Sequence, residues 1–360
     1  MLMRHLTMKR VRQTLHFLAA VQLLPALESG EETLVGGQAV LEGVMMRSPH
    51  AWGIAVRKPS GKPGKLGEIV THSEPLERPS DQHKWMGWPV VRGVMTLGHA
   101  MKLGFRALKF SANAALEEMS DDEGDKDPGG KDSAHEEQGK KMEIPGWVLG
   151  INVVFSIAFF IFMYKYLPLV ATTELKKVNP FFGQQIVFNL VDGVIRIAMF
   201  LLFVWGVSLW KDIRRVYEYH GAEHKTVFAF EHGDPLETVA VQKYSTYHPR
   251  CGTSFLMTVM IISMIVYMAI PVHTFWARFA IRIAFLPLIA GVSYEIIRFA
   301  AKRFSAKKGG LLFALMTEPG LWLQRITTQP PDDSQVECAI VALDEAMKLE
   351  KQRGGEMVIA

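Results

Sequence analysis

Four long apolar stretches constrain this chain before any motif does: Trp147 to Ala171, Ile186 to Trp210, Ser254 to Trp276 and Arg278 to Phe299. A helix needs roughly 20 predominantly apolar residues to cross a bilayer, and each window approaches or exceeds that length. Helices buried in soluble cores usually run shorter, so the pattern predicts an α-helical polytopic membrane protein with about four transmembrane helices. Apolar residues make up 49% of the 360 and are unevenly spread, so the length does not translate into a number of soluble domains. The net charge of +4 is small and no basic run is interleaved with aromatics, which argues against a nucleic-acid partner.

Orientation follows from Lys and Arg in the short flanking segments. Lys140 and Lys141 precede the first window, Lys211, Arg214 and Arg215 follow the second, and Arg298, Lys302, Arg303, Lys307 and Lys308 run through the end of the fourth and beyond. The other two loops carry only Lys176, Lys177 and Arg278, with Arg282 just inside the fourth window. The positive-inside rule then puts both termini and the 211–253 loop in the cytoplasm. The two cysteines, Cys251 and Cys338, sit in unlike contexts and suggest no disulfide framework, which suits a reducing compartment.

Outside the windows the chain divides by composition. Residues 1–33 form an N-terminal extension with a short apolar run, Phe17 to Leu27, broken by Gln22 and Pro25; no small-x-small cleavage site follows, so it reads as an interfacial helix more than a signal peptide. Residues 34–88 alternate in short runs such as Gly53-Ile-Ala-Val-Arg and Glu68-Ile-Val-Thr-His, which predicts a small β-containing cytoplasmic unit. Within it, Val40-Leu-Glu-Gly-Val-Met-Met is echoed by Val90-Val-Arg-Gly-Val-Met-Thr with Glu42 replaced by Arg92, so the two segments could pair. Residues 89–116, with Lys102, Arg106 and Lys109 set against Leu103, Leu108 and Phe110, predict an amphipathic helix on an anionic membrane surface. The acidic 117–143 stretch has too few large apolar groups to fold and reads as a disordered linker. The four-span domain occupies 144–308, and 309–360 is a C-terminal cytoplasmic segment whose Asp and Ser residues after Pro331 cap a docking helix from about Gln335 to Gln352.

Chemistry concentrates between Tyr217 and Thr253. His220-Gly-Ala-Glu223-His224 puts two imidazoles one turn apart on one helix face, provided the helix of the second window continues past Trp210. Glu223 stands beside them, placed to take a proton from a water activated by an ion. The order His-x-x-Glu-His is that of the inverted zincin motif, a weak signal by itself. His248-Pro-Arg-Cys251 adds a nitrogen and a sulfur donor in a tight turn before the third window, and these are donor types that a divalent metal such as zinc takes. Glu295, inside the fourth window near its cytoplasmic end, is a further candidate ligand because an ionisable residue there is expensive. Its plainer role is an ion pair with Arg298. Four ligands from His220, His224, His248 and Cys251 would close the coordination and make the ion structural; three would leave a position open for hydrolysis. Asp192 and Arg196 fall toward the opposite side and read as a structural pair between helices.

Several strings here, in order, resemble the YqhQ-like family of bacterial membrane proteins: Gly36-Gly-Gln-Ala-Val-Leu-Glu-Gly-Val-Met-Met-Arg, Pro89-Val-Val-Arg-Gly-Val, Tyr219-His-Gly-Ala-Glu-His-Lys, His248-Pro-Arg-Cys-Gly-Thr-Ser-Phe, Gly291-Val-Ser-Tyr-Glu and Glu318-Pro-Gly-Leu-Trp-Leu-Gln. The resemblance covers roughly residues 34 to 350. It implies a multi-pass protein of the bacterial inner membrane, in contact with lipids, from a family commonly described as predicted metal-dependent enzymes, and it brings no substrate. The expectation is therefore a membrane hydrolase with Glu223 as base, against a non-enzymatic scaffold with a structural ion. A transporter ranks third, since the windows contain little of the Gly and Pro breakage that broken-helix carriers use.

Overall fold

The structure, a computed structural model, describes residues 35–60, 65–76, 83–124, 146–248, 251–305 and 311–352. The 1–33 extension and the 125–143 part of the acidic linker lie outside the described residues. What is described is mostly helical, with one small antiparallel sheet and two helices long and apolar enough to cross a membrane, or three if one bent pair counts as a single span.

The sheet is a meander of β1 (Gly36–Val40), β2 (Gly43–Arg47), β3 (Ala51–Arg57) and β4 (Ile69–Pro75), paired in that order. Leu41 and Glu42 form the first turn, with Glu42 at φ +53°, a conformation that non-glycine residues adopt only when their surroundings hold them there. The Glu42 carboxylate is held by Arg215, whose Nη2 donates to Oε2 at 2.7 Å, and by the Tyr219 hydroxyl at 3.3 Å. Glu42 and Arg92 therefore do not pair with each other.

Every residue of β3 is buried, because the sheet is covered on both faces. Trp52, Ile54 and Val56 join Val40 and Met45 against α1 (Val91–Gly124), where Leu103, Ala107 and Ala114 meet them. On the other face Val44, Met46 and Ala55 pack against α5 (Lys211–Glu231) and the C-terminal helix α10 (Asp333–Gln352). The predicted docking helix thus docks on the sheet. Its start is a capping box: Asp332 Oδ1 accepts the Gln335 amide at 2.9 Å, and Gln335 Oε1 accepts the Asp332 amide at 2.9 Å. Helix α1 runs eight residues into the stretch expected to be linker, and while Leu103 and Ala107 face the sheet, Met101, Phe105 and Leu108 remain exposed.

The apolar windows become helices with breaks that the windows did not show. The first is α2 (Gly146–Ile161) continuing through a π turn, Phe162–Tyr166, into α3 (Leu167–Val178), the extra residue absorbing the missing amide of Pro168. The second is α4 (Gln185–Ser208), which stops at Trp210, where the backbone turns extended, so α5 starts afresh at Lys211 instead of continuing α4. The third, α6 (Gly252–Ala269), ends before Pro271 and is only 18 residues long. The fourth is split into α7 (Phe275–Ala284) and α8 (Leu286–Ser305), bent by 48° ahead of Pro287, which cannot donate to the preceding turn. Helix α9 (Leu311–Thr327) packs along α6 and returns the chain to the sheet.

The sheet is locked to α10 by Glu350, which accepts from Ser48 Oγ at 2.7 Å, His50 N at 2.8 Å and His50 Nδ1 at 2.8 Å. Burial raises the pKa of this carboxyl, but the hydrogen bonds from Ser48 and His50 outweigh it and the net shift is downward. Its contribution is then fully present above the ordinary carboxylate pKa of about 4.3 and is lost as pH falls through the lower folded value. Replacing Glu350→Gln should cost about 1–3 kcal/mol at neutral pH. Thermal unfolding of the full chain should show the gap to wild type closing below about pH 4; a gap independent of pH would count against this role.

Candidate metal centre

Helix α5 positions three of the six sequence candidates. His220, Glu223 and His224 share one face, with the two imidazole centroids 4.4 Å apart, even though α4 does not continue into this helix. The face is buried because β1 and α10 pack against α5, and Glu223 and His224 are 6% and 2% exposed.

Cys251 reaches them from the start of α6. It is the N-cap residue of that helix, and its Sγ accepts from the Thr253 amide at 3.4 Å. His220 Nε2 lies 3.2 Å from Cys251 Sγ, and one donor atom from each of His220, His224 and Cys251 falls within 4.8 Å of the others. A tetrahedral zinc with bonds of about 2.0–2.3 Å would hold its donors roughly 3–4 Å apart, so modest closure would bring this trio to that spacing.

The tautomers are set by the backbone. His220 Nδ1 donates to Thr327 O at 2.8 Å and His224 Nδ1 donates to Thr246 O at 2.5 Å, which leaves both Nε2 atoms as lone-pair donors facing the cluster. His224 Nε2 is buried and has no hydrogen-bond partner among the described residues. A buried acceptor without a partner is expensive, and a cation would relieve it. Glu223 Oε2 stands 3.9 Å from His220 Nε2, outside the trio but next to it.

The remaining candidates are not part of the trio, although His248 lines the same cavity. His248 is near, 5.7 Å from His224 between ring centroids, but its edge contact is with Phe228 at 4.4 Å and its Nε2 lies 3.5 Å from Glu231, a residue whose turn gave no functional signal. Burial pushes its pKa down to about 4, so it is neutral at pH 7. Glu295 is not brought to the cluster. It is clamped by Arg92, whose Nε and Nη2 donate to its two oxygens at 2.7 and 2.5 Å, and it also accepts the Val90 amide at 3.3 Å. Its partner is therefore on α1, not Arg298 on its own helix.

One side of the trio opens on a cavity of about 450 Å³. Glu223, Gln38, Arg47, Tyr217 and Thr253 are among its lining residues, so the wall opposite the histidines comes from the sheet. Close approach requires Gly37 there: a Cβ would lie 2.6 Å from Met45 O and 2.8 Å from Glu223 Cγ. Of the sheet residues of this wall, Gly37, Gln38 and Arg47, none was expected in the site from the sequence, although the Gly36-Gly-Gln string was among the motifs noted. It also missed Gln324 of α9, which accepts the His248 amide at 2.7 Å and donates to His248 O at 2.8 Å, fixing the loop that leads to Cys251.

Residues 88–349 match the family described as protein of unknown function DUF1385. The chain is also 32% identical over 316 residues, 88% of its length and 92% of the relative's, to the uncharacterized protein YqhQ of Bacillus subtilis (strain 168). No solved structure matches the chain.

Two substitutions test the support of the cluster. Gln324→Ala removes the two hydrogen bonds that Gln324 makes to the His248 backbone and should cost about 1–3 kcal/mol, with faster amide exchange confined to the 244–248 stretch. Gly37→Ala should destabilise by about 1–3 kcal/mol through overpacking against Met45 and Glu223; an unchanged melting temperature for both variants would contradict the packing described.

Proposed function

The chain belongs to the DUF1385 family of unknown function, and we propose that this member is a multi-pass protein of the bacterial inner membrane that acts as a metal-dependent hydrolase at the cytoplasmic face, with both termini in the cytoplasm. The membrane assignment is supported by α2–α3 and α4, which are long, apolar and largely exposed along their length, with α6 and the bent α7–α8 pair beside them. The orientation is supported by the clustering of Lys and Arg at the ends of these helices that carry α5 and Cys251.

The observation that carries the enzyme reading is the open trio: His220, His224 and Cys251 converge, and the free side faces a cavity on whose wall His248 stands. Three protein donors with an open position is the pattern of catalytic zinc, whereas a fully ligated ion is structural. An ion bound there would supply Lewis acidity, polarising a substrate oxygen and acidifying water. The chain's own residues do the rest. Thr327 and Thr246 carbonyls orient the imidazoles, and Glu223, at the edge of the trio, accepts the proton that a water in the cavity gives up. The sheet at Gly37 and Gln38 forms one wall of the cavity, and Arg47 offers a cation to a substrate with a negative group. A peptide or a lipid-linked molecule would enter from the membrane side of the cavity.

The second reading, a non-enzymatic scaffold, has one observation in its favour. The trio and its carbonyl partners tie together α5, the 242–251 loop, α6 and the end of α9, so an ion there would also staple these elements.

Metal analysis of the purified full chain, beside complementation of a strain lacking the gene, separates the two. Wild type should carry about one equivalent of zinc, and His224→Ala or Cys251→Ala should lose it, by roughly 10–100-fold or more in affinity. Glu223→Gln should keep the metal and lose about 10²–10⁴-fold in rate if it is the base. Intact complementation by Glu223→Gln with metal retained favours the scaffold. A metal-free wild type together with a harmless His220→Ala sinks both readings.

A further inference from the structure

At the end of α6 opposite Cys251 lies a second cluster, made of charges that the proposed hydrolase does not use. Lys165, Arg196, Arg278 and Arg282 are all at most 8% exposed, and one carboxylate, Asp192, is buried among them. Asp192 Oδ1 accepts from Arg282 Nη1 at 2.6 Å, and Asp192 also pairs with Arg196 one turn along α4. Arg196 Nη1 goes on to Ser263 Oγ at 2.9 Å, and Arg278 Nε to Val272 O at 2.6 Å with its guanidinium 3.7 Å above Phe188.

Tyr267 sits at the centre: the charged ends of Lys165, Arg196 and Arg282 each lie 5.6 Å from its ring centroid. Aromatic faces attract cations, but by about 2 kcal/mol at best for each, far less than the penalty of several kcal/mol for burying one without a counterion. Among the described residues, one carboxylate cannot balance the three guanidinium groups. Arg196 Nε is in addition buried without a hydrogen-bond partner among the described residues.

The cluster has a mouth. A cleft with about 10 Å³ of water-sized space is lined by Gln185, Asn189, Tyr267, Arg278 and Arg282, where α4 begins, α6 ends and α7 begins. That is room for one oxygen atom, with the rest of a ligand outside. Around the same end Trp276 and Phe181 stand 70% and 55% exposed, as aromatic residues do at a membrane interface.

We propose that this cleft is a binding site for a phosphate-type oxyanion, most fittingly the headgroup of an acidic phospholipid, whose charge completes the buried cationic cluster around Tyr267 and Asp192. Guanidinium groups match phosphate geometry, and basic pockets between membrane helices take acidic headgroups for the same reason. The lipid source rests on the membrane reading above; the anion site itself does not, and it is independent of any metal.

The test is thermal unfolding of the purified full chain in neutral detergent with added phosphatidylglycerol, phosphatidylcholine, or sodium phosphate against sodium chloride of equal ionic strength. Phosphatidylglycerol should raise the melting temperature by about 2–4 °C where phosphatidylcholine does not. The shift should disappear in Lys165→Met and in Arg278→Gln. A shift given by sodium phosphate and lost in the same variants supports the site with a free anion as its source. Equal shifts from both lipids, no shift from any anion, or a phosphatidylglycerol shift that survives in both variants would overturn the proposal. If one of the variants fails to fold, the other carries the test.

Discussion

Helix α5 buries every residue from Gly221 to Val227, including Glu223, His224 and Lys225, and a helix of that composition can be buried only if its polar side chains are matched from outside it. The matches come from distant parts of the chain. Lys225 donates to Gln242 O at 2.6 Å, His224 to Thr246 O and His220 to Thr327 O. The segment after α9 lies directly along α5, with the Gln329 amide bonded to Tyr217 O at 2.9 Å and Gly221 bare of a side chain where a Cβ would lie 2.1 Å from Gln329 O. The sheet, the loop before α6 and the turn after α9 are thus all held in place by one polar helix.

That dependence explains what could be read from residues alone. His220, Glu223 and His224 were legible because their relation is internal to one helix, and it survives the break at Trp210 that separates α5 from α4. Cys251 was legible because the turn that carries it is short. The atoms that orient the imidazoles were not, since they are main-chain carbonyls of Thr246 and Thr327 and carry no residue signature. Glu295 shows the same limit from the other side. Arg298 is its visible neighbour at helical spacing, yet its partner Arg92 lies 203 positions earlier, a contact that only the packing of α1 on α8 creates.

The fold divides along similar lines. Apolar windows mark helices well, but not where they stop, because Pro271, Pro287 and the extended Trp210 act over one or two residues inside a long average. In the sheet, β3 and β4 stood out, while β1 and β2 did not. Burial is not the difference, since β3 is buried at every residue; β1 and β2 are five-residue strands that carry Gly or Met and only one β-branched residue each, so they lack the composition that marks a strand.

The two ends of α6 pose one electrostatic problem with opposite signs. At Cys251 the side chains offer lone pairs, with the Nε2 of His224 aimed inward and unmatched. At Tyr267 they offer positive charge, with one carboxylate among three arginines and a lysine in the described residues. Among the described residues, the helices between the two sets meet through apolar side chains. A buried arrangement left with excess lone pairs calls for a cation, and one left with excess positive charge calls for an anion, because in each case the desolvation already incurred is recovered only by the matching ligand. The same rule that fills α5 with backbone partners therefore points, at both ends of α6, to partners from outside the polypeptide.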